Sequence, residues 1–404
     1  MQRKYSIFKI LFLLLCCPIF IFSNKLDLSN NVVQTKISVL TCDPGNEIYS
    51  LFGHSALRLQ NTVQGYDFVV NWGLFEFSEN QFDFGYDFAK GRLKYFMGLQ
   101  SATNFMEEYK GSRRGIREQI LNLNKEEKFK LITLIENNYK PENRNYKYEF
   151  FYDNCSSRIR DLLKTVFNEG IKFHSSSKSN KFTFREIIHE YLKYNPWLEL
   201  GIDLVLGKKI DVLVNNENLM FLPENVEQIL DSSYVKNNEV QKKIVLSKNT
   251  LIKSNIKKGN LKSIKLYSWI ILSITMLLLI IKKERLFNYW SVINLFVVGI
   301  LGLVLLFMWF GTDHSGTKMN LNLLWASPLH FVLIFCILKG YLNNFTYWYL
   351  TFSIILIFTT ILFWFTLTQE FNAFVKPIIL QLAIIYYYYF KKCNNQINLN
   401  KTKA

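Results

Sequence analysis

From Leu266 onward the sequence runs through five apolar segments, Leu266–Ile281, Tyr289–Phe310, Leu323–Leu338, Phe345–Leu367 and Phe374–Phe390, joined by short polar loops. Each approaches the ~20 residues that a membrane-spanning helix needs, so this third of the chain is committed to a bilayer. Aromatic residues gather at the segment ends, as in Tyr289-Trp290, Trp309-Phe310, Tyr347-Trp348-Tyr349 and Tyr386–Tyr389, where a membrane–water interface favours them. Lys282, Lys283 and Arg285 follow the first segment, Lys339 the third and Lys391-Lys392 the fifth. Short loops rich in Lys and Arg stay in the cytoplasm, which puts Gly311–Asn322 and Thr368–Ala373 on the exported side.

The other end agrees. Arg3, Lys4 and Lys9 precede the apolar run Ile10–Phe22 and then Ser23-Asn24, the form of a secretory signal, with an uncleaved signal anchor as the alternative. The expected order is a signal at 1–23, a periplasmic domain at 24–250 and a basic juxtamembrane linker at 251–265. A transmembrane domain at 266–390 and a cytoplasmic tail at 391–404 complete it. Such a chain belongs in the inner membrane of a bacterium, in contact with the lipid bilayer. The charge of +16, from 48 Lys and Arg against 32 Asp and Glu, accompanies no basic stripe with stacking aromatics, so nucleic acid is not an expected partner. With 35 Phe, 22 Tyr and 8 Trp the chain is no disordered polymer.

The exported part reads as α+β. Lys36–Thr41, Ser55–Thr62 and Tyr66–Trp72 have β-branched and aromatic content with partial alternation, separated by Pro44-Gly45 and Asn61–Gly65; they predict a small sheet. Asn124-Lys-Glu-Glu127 has the form of a capping box, with Phe129, Ile132, Ile135 and Tyr139 following at helical spacing. A second helix begins at Asp153-Asn154-Cys155, either polar residue being able to cap it, and ends at Gly170. Shorter helices are expected around Phe184–Tyr194 and Asn225–Leu230.

Six cysteines are distributed unevenly: Cys16 and Cys17 in the signal, Cys336 in an apolar segment, Cys393 in the tail, and only Cys42 and Cys155 in the exported domain. A Cys42–Cys155 disulfide is one reading. The other rests on position, because a helix N-terminus stabilises a thiolate. A thiol nucleophile needs a base. His54 opens a strand within Ser50-Leu-Phe-Gly-His-Ser-Ala-Leu-Arg58, whereas His174 falls in a Ser/Lys loop and His189 on an amphipathic helix, so His54 ranks first. Cysteine at a helix start facing histidine on a sheet is the papain-like layout. Here the histidine precedes the cysteine, an order similar to the permuted NlpC-type and lecithin:retinol acyltransferase-like branch.

Longer strings narrow this further. Leu40-Thr-Cys-Asp-Pro-Gly-Asn-Glu47, Phe52-Gly-His-Ser-Ala-Leu-Arg58, Asn71-Trp-Gly-Leu-Phe-Glu-Phe77, Tyr146-Lys-Tyr-Glu-Phe-Phe-Tyr-Asp-Asn-Cys-Ser-Ser-Arg158, Thr312-Asp-His-Ser and Asn320-Leu-Asn-Leu-Leu-Trp325 together resemble the Lnb family. These are inner-membrane proteins of Bacteroidota with an exported domain assigned as a lipoprotein N-acyltransferase. The resemblance implies a permuted papain-like domain followed by a five-helix membrane bundle. It implies transfer of a fatty acyl chain from a phospholipid donor to the α-amine of a diacylated lipoprotein acceptor. Cys155 is then the catalytic nucleophile and His54 its base.

Asn71 is the inferred third member, orienting the imidazole, with Asp67 and Asp153 as competitors. The Cys155 N–H is the first candidate oxyanion donor and the Asn154 or Ser156 region the second. Arg58 and Arg158 are either lipid-phosphate ligands or ordinary ion-pair partners, and His314, beside Asp313, either a headgroup or loop-ordering residue or a direct participant. Leu74, Phe75, Phe77, Phe82 and Phe84 read as core packing or as an acyl groove. Ser50, Ser55, Ser156 and Ser157 are rival nucleophiles. Thiol chemistry requires no cofactor, and one Asp-His dipeptide is not a metal site. A membrane-tethered thiol peptidase or amidase, and a non-enzymatic scaffold with Cys155 in a disulfide, are the competing functions.

Overall fold

The computed structural model describes residues 32–75, 80–168, 170–174, 176–237, 240–256 and 263–403; the expected signal at 1–23 lies outside them. In chain order the first part contains β1 (Lys36–Cys42), β2 (His54–Asn61), β3 (Tyr66–Phe75), α1 (Gln81–Lys90), β4 (Lys94–Ser101), α2 (Ala102–Gly111), β5 (Ile116–Leu121), α3 (Lys125–Tyr139), β6 (Asn145–Lys147) and α4 (Cys155–Val166). Then follow β7 (Ile171–Lys172), α5 (Phe184–Leu192), α6 (Pro196–Val205), α7 (Asn216–Leu219), α8 (Pro223–Ser232), β8 (Tyr234–Asn237), β9 (Val240–Lys243) and β10 (Val245–Ile252).

The three strands expected from sequence are β1, β2 and β3, each within three residues of its expected bounds. The sheet is larger than expected: seven strands in the order β10-β5-β1-β2-β3-β4-β6, with all neighbours antiparallel. Side chains alternate across a strand, and the two faces bury different partners. Leu57, Leu59, Val70 and Trp72 share a core with Leu131 and Ile135 of α3 and with Ile159 and Leu163 of α4. Ala56 and Val69 cluster instead with Phe105 and Tyr109 of α2. The helix α3 begins at its expected capping box, with Asn124 accepting from the Glu127 N–H and Glu127 from the Asn124 N–H, both at 2.8 Å.

The second part is helical: α9 (Lys265–Ile280), α10 (Glu284–Phe310), α11 (His330–Lys339), α12 (Asn344–Leu362) and α13 (Val375–Lys403). By length and composition α10 and α12 can cross a membrane. The third apolar segment departs from expectation, because Leu321–Leu324 forms a 3-10 turn and α11 starts only at His330. Pro328 lacks the N–H a continuous helix needs there, and Asn320 turns its side chain to the Asn322 N–H. Two further bounds differ: α12 stops at Leu362, and α13 continues as helix through the stretch expected as a tail.

The two parts are fastened through the C-terminus of α6, whose last carbonyls have no partner within the helix. Asn320 Nδ2 donates to Leu204 O at 2.7 Å and Val205 O at 3.0 Å, Asn322 Nδ2 to Leu204 O at 3.1 Å, and Gln369 Nε2 to Leu206 O at 3.4 Å. Gly207 N–H donates to Gly316 O at 2.9 Å. A Cβ on Gly207 would lie 2.1 Å from Lys318 O, so only glycine permits this approach. The loops that sequence places on the exported side thus hold the exported domain.

Candidate active site

Cys155 is the first residue of α4, and the chain enters that helix through a complete cap. Asn154 Oδ1 accepts from the N–H groups of Ser156 and Ser157 at 2.9 and 3.0 Å, and its Nδ2 donates to the carbonyls of Phe150 and Phe221 at 2.7 and 2.8 Å. All the hydrogen-bonding capacity of the Asn154 amide is engaged in holding the helix start against two neighbouring segments. The Cys155 N–H has no partner among the described residues and sits at the positive end of the helix dipole.

His54 opens β2 opposite Cys42 of β1. Gly53, at φ 80°, makes the turn that feeds it, and a Cβ there would lie 2.6 Å from Cys42 O. Asn71 on β3 is 2 % exposed and its Oδ1 lies 3.1 Å from His54 Nε2. An amide oxygen only accepts, so Nε2 carries the proton and Nδ1 is the nitrogen left for Cys155. Asn71 is positioned in turn, its Nδ2 donating to Gln100 Oε1 at 3.5 Å and Gln100 Nε2 to Glu108 Oε2 at 3.4 Å. The structure therefore brings Cys155, His54 and Asn71 together from three elements.

Electrostatics favour the ion pair. Burial opposes ionisation of Cys155, but the His54 charge, hydrogen bonds from His54 and the Ser55 N–H, and the Ser156 hydroxyl outweigh it and hold the thiol below its ordinary pKa. For His54 burial opposes protonation, and the Cys155 thiolate with the hydrogen bonds to Cys155 and Asn71 raises its pKa. The thiolate–imidazolium form accordingly persists over a widened pH window. Alkylation of Cys155 by iodoacetamide is expected to have its pH midpoint below the usual thiol pKa of about 8.5. In His54→Ala the midpoint should rise, because burial is then opposed only by the Ser55 N–H and the Ser156 hydroxyl; mass spectrometry of the Cys155 peptide across pH measures both.

Cys42 and Cys155 are both free thiols, so the disulfide reading does not describe this structure. Burial pushes the Cys42 thiol up to about 12, which disfavours its thiolate. The serines are occupied: Ser55 and Ser156 hydroxyls pair at 2.9 Å, Ser50 Oγ donates to Glu47 O, and Ser157 Oγ accepts from the Asn154 N–H.

Other supporting candidates lie elsewhere. Arg58 is bound to both carboxylate oxygens of Asp67, at 2.8 and 2.6 Å, and to Glu118 at 3.2 Å, so it is an ion-pair residue and not a phosphate ligand, and Asp67 does not orient His54. Asp153 forms a fork with Arg158, whose guanidinium lies 4.1 Å from the Tyr146 ring centroid; Asn154, not Asp153, is the cap. Ser156 donates its N–H to Asn154 Oδ1, its hydroxyl lies between Ser55 Oγ at 2.9 Å and Cys155 Sγ at 3.9 Å, and the Asn154 amide is fully engaged, so neither the Ser156 N–H nor the Asn154 side chain is left for an oxyanion. His314 sits at the end of α1, with Nε2 3.3 Å from Phe88 O, and orders a loop.

Tyr146 was not legible as a site residue. Its Oη is buried with no hydrogen-bond partner among the described residues, and it would lie 3.9 Å from a Cβ on Gly73, two residues past Asn71. Burial and then the Cys155 charge raise its pKa, so the phenol stays a donor. His189, Glu199 and Asp203 place ligand atoms within 4.8 Å of one another. Asp203, however, already accepts from Arg185 at 3.0 Å, His189 at 2.8 Å and Asn372 at 2.8 Å, an ion-pair network with a guanidinium where a cation would sit.

A cysteine–histidine–asparagine constellation thus stands on a sheet domain that is fastened to apolar helices. Residues 23–191 match the Lnb N-terminal periplasmic domain and residues 264–396 the Lnb transmembrane domain. The chain belongs to the Lnb family, and it is a membrane protein with a periplasmic domain. No curated protein and no solved structure matches it.

Proposed function

We propose that the protein is a lipoprotein N-acyltransferase of the bacterial inner membrane, built as a permuted papain-like domain on five spanning helices. It moves a fatty acyl chain from a phospholipid, by way of a Cys155 thioester, to the α-amine of the diacylglyceryl cysteine that begins a lipoprotein. The observation that carries this reading is the Cys155–His54–Asn71 arrangement on a domain bolted to membrane helices. The substrates come from the family resemblance.

In the first half-reaction the Cys155 thiolate attacks the ester carbonyl and the lysophospholipid oxygen leaves with the proton of the His54 imidazolium. In the second the lipoprotein amine attacks the thioester, its proton passes to His54 and the thiolate is released. Two such steps give ping-pong kinetics. Each tetrahedral intermediate needs donors, and this reading assigns the Cys155 N–H and the Tyr146 hydroxyl. Tyr146→Phe is expected to slow transfer on the order of 10²-fold. Thermal stability should be unchanged or higher, because the variant removes an unpaired buried hydroxyl; steady-state rates and a melting curve test both.

The deciding experiment expresses wild type and Cys155→Ala in a bacterium depleted of its own lipoprotein N-acyltransferase. Mass spectrometry then reads the N-terminal cysteine of a reporter lipoprotein. A third, amide-linked chain with wild type alone supports the proposal. A free amine with an inserted, stable wild type overturns it and turns attention to peptide or muropeptide amides, and acylation by both removes Cys155 as nucleophile.

A further inference from the structure

Ten residues, Gln81–Lys90, form α1 between the strand that carries Asn71 and β4. The neighbouring helices bury their rings, as α2 does with Phe105 and Tyr109. Helix α1 does the opposite: Phe82 is 78 %, Phe88 55 % and Tyr86 47 % exposed, which contradicts core packing for Phe82. Phe77 and the side chain of Phe84 lie outside the described residues.

At 100° per residue the charged positions Asp83, Asp87 and Lys90 fall on one narrow side of α1, and Phe82, Tyr86 and Phe88 lie around the rest. A helix with a wide aromatic face and a charged strip suits the plane of a membrane interface. What lies beside it is the end of a spanning helix. The Asp313 N–H donates to Lys90 O at 2.8 Å, the His314 Nε2 lies 3.3 Å from Phe88 O, and Arg92 pairs with Asp313 at 3.2 Å. Asp313 is three residues past Phe310, the last of α10, itself 73 % exposed and stacked on Trp309 with centroids 5.0 Å apart. Exposed aromatics at the end of a span mark the headgroup level. Gly91, in the left-handed region at φ 68°, lets the His314 ring close onto the helix end, where a Cβ would meet it at 3.0 Å. Since α1 is about 15 Å long, its exposed rings stand within one helix length of that level.

We propose that α1 is an interfacial helix that inserts Phe82, Tyr86 and Phe88 into the bilayer leaflet on the periplasmic side. The occupant of its apolar face is lipid, argued from its fastening to the loop that leaves α10. The inference does not depend on the acyl-transfer reading.

The test uses the full-length protein in phosphatidylethanolamine–phosphatidylglycerol vesicles doped with a phospholipid bearing a diazirine on its acyl chain. After irradiation, adducts are mapped by peptide mass spectrometry. Adducts on residues 81–90, as well as on α9–α13, are expected; adducts confined to residues 264–396 overturn the proposal. In the double variant Phe82→Ser, Phe88→Ser the α1 adducts should fall roughly tenfold while those on α9–α13 and the iodoacetamide reactivity of Cys155 stay unchanged. An undiminished α1 signal in that folded variant also overturns it.

Discussion

The Cys155→Ser variant is expected to transfer acyl chains slower than wild type on the order of 10⁴-fold or more, although its fold and membrane insertion are unchanged. The isosteric hydroxyl keeps the packing at the start of α4, so Asn154 still caps the helix through Ser156 and Ser157. What is lost is ionisation. The pocket holds a thiol below its usual pKa with one imidazole, one backbone N–H and one hydroxyl, and a serine hydroxyl lies far above the reach of those groups. Any acyl-serine that does form is an oxygen ester, which an amine attacks much more slowly than a thioester, so a trace of stable acyl-enzyme should accumulate with phospholipid alone. Intact-protein mass spectrometry measures it. Wild-type turnover in the Cys155→Ser variant would rule out thiolate catalysis.

The legible parts of this molecule are those in which chemistry is local. The capping box at Asn124 and the cap at Asn154 are sequence-adjacent devices, so α3 and α4 start where their sequences say. Cys155 and His54 stood out because a thiol at a helix start and a histidine after Gly53 each carry their reason in a few neighbouring residues. The partner of His54 was harder: Asn71, Asp67 and Asp153 were all eligible, and the choice depends on the β2–β3 register, which pairs Ala56 with Asn71 and aims Asp67 at Arg58. The edge strand β10 joins the sheet by pairing with β5, more than a hundred residues earlier in the chain, with no local signal. Tyr146 escaped notice because an unpaired hydroxyl is a property of its surroundings. Likewise Asn320 and Asn322 stand in the Asn320–Trp325 string without a role of their own until α6 supplies the carbonyls they bind.

The junction between the two domains supplies the second large effect. Arg185 is fully buried, forks onto Asp211 at 2.8 and 3.1 Å and reaches Asp203 at 3.0 Å, while Asn372 and the Glu370 N–H bind those same carboxylates from the membrane side. Arg185→Met removes the guanidinium that two buried carboxylates share and leaves them with His189, Asn372 and the Glu370 N–H, a change that costs about 3–5 kcal/mol. Because both acids are shared with residues 370–372, the loss should loosen the seat of the domain and not only α5. The expected result in detergent is a lower melting temperature and new proteolytic cleavage near residues 207–212. Replacing Asp203 by Asn as well should recover part of the loss, since one stranded charge goes with it. His189 adds a pH signature. Burial opposes its protonation, but Asp203 raises its pKa, so its contribution is complete below the ordinary histidine value and is lost as pH rises through the folded one. Wild type should therefore lose stability relative to His189→Gln as pH rises from the ordinary histidine value of about 6.5 through the raised folded one. A melting difference that stays flat over that range would remove His189 from the network, and an Arg185→Met variant as stable as wild type would mean that the domains are held by the α6 carbonyl contacts alone.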